Sequence, residues 1–221
     1  MFTRDMLEFM MDIRFNNNKE FMAAHRQEYI SKVRTPYYQL IESLAPAMLK
    51  IDPEMEVQPG KVLSRIFRDT RFSRDKSPYR DHHWIAFRHR GEPRDQAVMF
   101  WFEIRLEAVS WGLGYWGENK PAMELLRQRI ISGPRELQNL VPILKEHDFE
   151  LEGSKYQRIN VPENLPEPLN EWYRHKELYF VKRNIIPDWA FEPGLENRLI
   201  NDYLAMTPFY RLLRGLHILS Q

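Results

Sequence analysis

The sequence predicts a single α+β domain in which helices at both ends of the chain pack against a central antiparallel β-sheet. Near the N-terminus apolar residues recur at helical spacing, the middle of the chain alternates with period two, and helical patterns return towards the C-terminus. Runs of helix, then strand, then helix are typical of α+β rather than βαβ folds. We therefore predict one domain over residues 1–221, with an N-terminal helical region at residues 1–52, a sheet at residues 60–117 and a C-terminal helical region at residues 119–221.

Three helices are predicted in the N-terminal region. Thr3 is the expected N-cap of the first helix and Asn18 that of the second, since their short polar side chains can accept a hydrogen bond from an exposed backbone N–H. The pair Thr35-Pro36 predicts the start of a third helix, which continues to about Leu49, because proline is favoured at the first helical position.

Alternation of apolar and other residues along the middle of the chain predicts the strands. Residues 97–106 place an apolar side chain at every even position, which predicts a strand with one buried face, and residues 109–115 continue the pattern in the other phase. Shorter patterns predict strands at 83–87, 62–66 and 178–182. The short gaps between the first of these runs favour antiparallel hairpins.

Helices are predicted again in the C-terminal region. Pro121 is expected to start one that continues to Ile131, and Pro134 a second that continues to about His147. Residues 195–219 are interpreted as two helices that separate at Pro208.

Composition limits the classes of function. The formal net charge is only +1 with a pI of about 8.0, so nucleic acid is an unlikely partner. The chain has no cysteine, which excludes disulfides, thiolate metal sites and cysteine nucleophiles. No secretory leader or membrane-spanning run is evident, since charges interrupt residues 1–13, and we expect no membrane association and a cytoplasmic protein.

One segment, residues 64–80 with the sequence SRIFRDTRFSRDKSPYR, concentrates positive charge. We call it the arginine segment. Guanidinium groups stay ionised and present forked donors that match phosphate or carboxylate. Its cations are Arg65, Arg68, Arg71, Arg74, Lys76 and Arg80. Only Asp69 and Asp75 oppose them.

Two interpretations of this segment remain open. In the first it binds an anionic small molecule through Arg65, Arg68, Arg71, Lys76 and Tyr79. The aspartates then orient the donors or, in an enzyme, one of them serves as general base, the cations stabilising negative charge in a hydrolase or transferase reaction on a phosphate-bearing substrate. The candidate catalytic residues are Asp69 and Asp75.

In the second interpretation the segment is an internal salt-bridge network of a structural or protein-interaction domain. The aspartates would pair with neighbouring arginines, acids elsewhere would pair with the rest, and Phe67, Phe72 and Tyr79 would anchor the segment in the core. Surface ion pairs each contribute only about 0–1 kcal/mol, which favours a role beyond stability.

Other motifs predict less. Residues 112–117 match G-x-G-x-x-G, but Gly112 and Gly114 alternate with large residues along a strand, which indicates close backbone packing instead of a dinucleotide site. His82 and His83 are adjacent in a strand and point to opposite faces, so they cannot easily share a metal ion. We predict no metal and no cofactor.

The run from Arg68 to Tyr79, Arg-Asp-Thr-Arg-Phe-Ser-x-Asp-Lys-Ser-Pro-Tyr, resembles the signature of the bacterial and fungal domain of unknown function 2461. Residues 16–20, the glycine-containing strand before Pro121 and residues 175–181 are similar to further elements of that family, in the same order. The resemblance implies a single domain and implies no particular activity. It marks residues 68–79 as a signature without giving any of them a role.

Overall fold

The computed structural model describes residues 2–115 and 117–220, and its fold is α+β, as predicted. Five strands form an antiparallel sheet in the order β1-β2-β3-β5-β4. Their bounds are β1 His83–Arg88, β2 Val98–Ile104, β3 Ala108–Tyr115, β4 Glu150–Glu152 and β5 Tyr179–Ile185.

Helices precede and follow the sheet strands along the chain. The N-terminal ones are α1 Arg4–Phe15, α2 Lys19–Ala24, α3 Arg26–Glu28, a π-helical turn Tyr29–Arg34, α4 Thr35–Ile51 and α5 Pro59–Val62. Those after β3 are α6 Lys120–Ser132, α7 Pro134–Gln138, α8 Val141–Glu146, α9 Glu167–Arg174, a 3-10 turn Asp188–Phe191, α10 Leu195–Ala205 and α11 Thr207–Leu219. Within the described residues, no helix is both long and apolar enough to cross a membrane.

The chain divides into two compact units, and the single-domain prediction stays a prediction. The first unit comprises Met1–Phe87, Trp101–Trp111 and Arg183–Ile200. Its core contains Phe2, Tyr37 and Phe102, with ring centroids 4.7 Å apart for Phe2 and Tyr37 and 6.5 Å apart for Tyr37 and Phe102.

The second unit comprises Arg88–Phe100, Gly112–Lys182 and Asn201–Gln221. Its core contains Trp172, Phe180 and Phe209, and the Phe180 and Phe209 ring centroids are 4.6 Å apart. Each unit therefore has an aromatic core of its own.

The helix starts confirm one capping prediction fully. The backbone N–H of Phe21 donates to Asn18 Oδ1 at 2.8 Å, so Asn18 caps α2 as expected. Thr3 occupies the N-cap position of α1 without a side-chain hydrogen bond. Helix α4 begins at Thr35, where the pair Thr35-Pro36 predicted a helix start, although the π-helical turn runs directly into it and Thr35 already has helical dihedral angles.

The strand predictions were right about most positions and wrong about exposure. All seven residues of β2 are buried, including Glu103, so this strand has no solvent face. Apolar side chains at even positions were visible in the sequence, whereas burial of the opposite face comes from residues distant along the chain.

Some shorter elements differ from their predictions. The strand expected at residues 62–66 is absent; α5 covers its start and Leu63 forms only an isolated bridge to Ile85. The helix expected from Pro134 to His147 is divided into α7 and α8. Strand β4 and helix α9 were not predicted.

The glycine motif lies at the end of β3, where close packing explains it. A Cβ on Gly114 would lie 2.3 Å from Tyr179 Cβ and 2.5 Å from the carbonyl oxygen of Leu178, far inside normal contact. Glycine is therefore required for the approach of this backbone to β5, as the sequence indicated. Trp116, inside the same motif, lies outside the described residues.

Candidate functional site

The arginine segment folds as an irregular hairpin. Phe67 and Tyr79 form an antiparallel bridge, Arg68 N–H donates to the Pro78 carbonyl at 2.9 Å, and Arg80 N–H donates to the Ile66 carbonyl at 2.8 Å. These bonds pair the two ends of the segment, and residues 69–77 form the loop between them.

Asp69 stabilises the first half of the loop. Its carboxylate accepts from Arg71 Nη2 at 2.7 Å, from Arg71 Nε at 3.0 Å and from the Arg71 backbone N–H at 3.2 Å. The Arg71 guanidinium, followed by the backbone N–H, lowers the pKa of Asp69 to about 2. Asp69 is therefore ionised at neutral pH and bound by Arg71.

Asp75 stabilises the second half of the loop in the same way. One carboxylate oxygen accepts from the Ser77 hydroxyl at 2.6 Å and from the Ser77 backbone N–H at 2.9 Å, and the other pairs with Arg68. The Arg68 guanidinium, then Ser77, hold the pKa of Asp75 well below its usual range. A carboxylate of such low pKa is a weak base, which lowers the value of Asp69 and Asp75 as general-base candidates.

The other predicted ligands of the segment lie in different surroundings. Lys76 Nζ donates to the Thr70 carbonyl at 2.8 Å, within the loop. Arg65 and Arg74 are exposed, and neither has an ion pair to any residue that the structure describes. The positive charge of the segment is thus only partly neutralised from within.

The aromatic residues of the segment do not all anchor it. Tyr79 is buried, with 6% of its surface exposed, but Phe67 is 61% and Phe72 is 93% exposed. The expectation that all three pack in the core is therefore wrong. Asn17 supplies an anchor that the sequence did not reveal: its amide donates to the Tyr79 carbonyl and accepts from the Tyr79 N–H, both at 2.9 Å.

The base of the hairpin is joined to β1 through a buried serine and a buried histidine. Ser64 Oγ lies 2.9 Å from His83 Nδ1, and the hydroxyl also accepts from the Trp84 N–H at 3.1 Å. The Ser64 N–H donates to the Trp84 carbonyl at 2.8 Å. Tyr37 donates its hydroxyl proton to the His83 carbonyl at 2.7 Å, which ties helix α4 to the same point.

Arg80 pairs with Ile66 at the base of the hairpin, and its buried Nε–H makes no hydrogen bond to a described residue. Its guanidinium carbon is 4.7 Å above the Trp84 ring centroid. Burial, followed by the positive charge of Arg68, lowers the pKa of Arg80. Since a guanidinium stays protonated, this shift means that its charge is poorly compensated.

His82 contacts the same indole ring. The imidazole stacks on Trp84 at a centroid distance of 5.7 Å and an interplanar angle of 26°. Its Nδ1 is 2.9 Å from Asp81 Oδ1, and its Nε2 is 3.8 Å from Glu103 Oε1. His82 and His83 thus contact entirely different residues, as expected of neighbours on opposite faces of a strand.

The two carboxylates beside His82 have their own cations. Arg14 Nε donates to Asp81 at 2.6 Å, and Arg105 Nη2 lies 2.8 Å from Glu103. No cluster of three or more His, Asp or Glu side chains able to hold a metal ion is found within residues 2–115 and 117–220.

Sequence reasoning missed His82 and Trp84 as neighbours of the arginine segment and left Arg80 out of the ligand set. The signal was the spacing of Arg80, His82 and Trp84 by two residues, which in extended chain favours one face.

Comparison with known proteins gives a family and nothing closer. A family model described as "Conserved hypothetical protein (DUF2461)" matches residues 5–212. A search of curated proteins gave no match, and a search of solved structures gave none.

The buried His83 predicts a dependence of stability on pH. Burial is the main cause that lowers its pKa from 6.5 to about 3. Between those values the unfolded chain binds one proton more than the folded chain, so the free energy of unfolding should fall as the pH falls, by at most about 1.4 kcal/mol per pH unit. Urea unfolding at pH 7.0, 6.0 and 5.0 measures this slope.

The control is His89→Asn, which should keep the slope, whereas His83→Asn should reduce it. If the His83 variant does not fold, the imidazole signals of the unmodified protein decide. Titration of His83 in the folded state near pH 6 would contradict the account.

Proposed function

We propose that this chain, which belongs to the DUF2461 family of conserved hypothetical proteins, binds a small anionic ligand bearing phosphate or carboxylate at the arginine segment. The observation that carries the proposal is the buried Nε of Arg80, which lacks an acceptor among the described residues while Arg68 adds a second positive charge nearby. A buried donor without an acceptor is costly, by about 1–3 kcal/mol, and an anion offers oxygens to satisfy it.

The surroundings of each cation suggest a division of roles. Arg80 would contact the anion directly and Arg68 would contact it after release from Asp75, with Arg65 contributing exposed positive charge near the start of the segment. Arg71 and Lys76 are held by Asp69 and the Thr70 carbonyl, so they would shape the loop and approach the ligand only by exchanging partners. Tyr79 is buried and would support the hairpin from beneath.

The proposal extends to the cellular location of the protein and to the chemistry of the site. We infer that the protein works in the cytoplasm, because a sequence without cysteine fits a reducing compartment. If the bound anion reacts, the arginines would stabilise charge developing on its oxygens, as in hydrolysis or transfer of a phosphate group.

A second candidate function has its own support. Arg68 pairs with Asp75 and Arg71 with Asp69, as an internal salt-bridge network requires, and Phe72 is 93% exposed with the Arg71 guanidinium carbon 5.7 Å from its ring centroid. An exposed aromatic ring on a loop braced by ion pairs suits contact with another protein. In this interpretation the arginines contribute to loop structure and hold no small ligand.

Replacement of Arg80 tests the proposed function. Titration calorimetry with inorganic phosphate, and separately with sulfate, should detect binding to the unmodified protein, and Arg80→Ala should weaken it at least about tenfold by removing a charge-assisted donor. Arg135→Ala, at an exposed arginine of α7, is the matched control and should bind as before. Equal affinity in all three proteins, or no binding to any, would contradict the proposal.

Release of Arg68 from its internal partner separates the two candidate functions. Asp75→Asn removes the carboxylate charge, so Arg68 becomes available, and the affinity for phosphate should increase about threefold to tenfold if Arg68 binds the anion. In the salt-bridge interpretation the same variant shows a lower unfolding midpoint and no phosphate binding. Calorimetry gives the phosphate affinity and urea unfolding gives the midpoint, both on one sample. The control is Glu136→Gln, which removes the exposed ion pair with Arg129 and so measures the effect of losing a surface ion pair elsewhere.

A further inference from the structure

The proposed anion site leaves one neighbouring residue, His82, unexplained. Arg80 and His82 both contact the ring of Trp84, at 4.7 Å and 5.7 Å from its centroid. The shared contact brings a titratable side chain and the cation whose Nε lacks an acceptor to the same indole ring. The histidine is partly exposed, with 20% of its side chain accessible, so solvent protons reach it.

The hydrogen bonds of His82 decide which ring nitrogen can change its proton. Nδ1 is 2.9 Å from the Asp81 carboxylate, which accepts and therefore keeps the proton on that nitrogen. Nε2 is left to gain or lose the second proton. Its nearest carboxylate oxygen, Glu103 Oε1, is 3.8 Å away, too far for a hydrogen bond.

The charges around the imidazole leave it responsive to a further anion. Asp81 is also bound by Arg14, and Glu103 by Arg105, so both acids that face His82 share their charge with an arginine. Arg80 contacts the same indole ring and carries a further positive charge. An anion bound to Arg80 would neutralise that charge and accept from the Nε2–H.

We propose that His82 is the proton-linked member of the anion site, so that binding of a phosphate-like anion is accompanied by uptake of one proton on Nε2. This inference rests on the proposed anion-binding function and adds its regulation: the site holds its ligand more tightly in acid than in alkali. An anion favours the charged form of a neighbouring imidazole, and by linkage the protonated imidazole favours the anion.

The magnitude follows from the same linkage. Complete coupling to one proton decreases the affinity by at most about tenfold for each unit rise in pH. The decrease is measured between pH 6 and pH 8. His83, the adjacent histidine, stays neutral in this range because burial lowers its pKa to about 3.

Proton uptake can be measured directly with sulfate, which does not titrate in this range. Calorimetric titration of the full chain with sulfate at pH 6.5, in buffers of different ionisation enthalpy, gives the number of protons bound per sulfate. We expect a net uptake of up to one proton per sulfate, and an affinity at pH 6 at least about fivefold above that at pH 8.

Two variants test whether His82 is the residue that takes up the proton. His82→Asn should take up no proton and bind sulfate equally at pH 6 and pH 8, while His89→Asn should behave like the unmodified chain. If His82→Asn does not fold, the imidazole resonances of the unmodified protein serve instead, and those of His82 should shift towards the protonated form on addition of sulfate at pH 6.5.

The failures of the two proposals differ. Absence of sulfate binding at both pH values overturns the anion site itself. Sulfate binding without proton uptake, or with uptake that persists in His82→Asn, overturns the role of His82 and leaves the anion site standing.

Discussion

The contact between Ser64 and His83 is the constraint on which the candidate site depends. It is buried, and it fixes the start of the arginine segment against the first strand of the sheet through side-chain and backbone bonds on both sides. Because side chains alternate along an extended chain, an inward His83 sets His82 and Trp84 on the opposite side. The position of a polar cluster near the surface thus follows from one polar contact in the interior.

The charges of the arginine segment fall into two groups with different physical consequences. Asp69 and Asp75 each accept hydrogen bonds from neighbouring donors within the loop, and these donors lower the pKa of both carboxylates. Arg80 has the opposite character, since its environment disfavours its charge and leaves a donor unsatisfied. Density of charge in a sequence therefore does not identify a ligand site; what matters is which charges remain uncompensated after folding.

The sequence was informative where a pattern is local. Helical spacing, the cap at Asn18, the alternation along β2 and β3 and the close approach at Gly114 all depend on neighbours along the chain, and each was predicted. The burial of Glu103 and the hydrogen bonds between Asn17 and Tyr79 depend on residues far away in sequence, so no local signal reveals them. Exposure of Phe72 follows the same logic: an aromatic residue predicts burial on average, and only the loop geometry places it in solvent.

The central claim is that an anion belongs beside Arg80 and Arg68, and diffraction tests it most directly. Crystals of the full chain soaked in tungstate, a phosphate-shaped anion with a strong anomalous signal, should show an anomalous tungsten peak placed so that the tungstate oxygens accept hydrogen bonds from Arg80 Nε and the Arg68 guanidinium. Loss of that peak in crystals of Arg80→Ala would support the assignment. A map with no peak there, together with a protein oxygen bonded to Arg80 Nε, would contradict it.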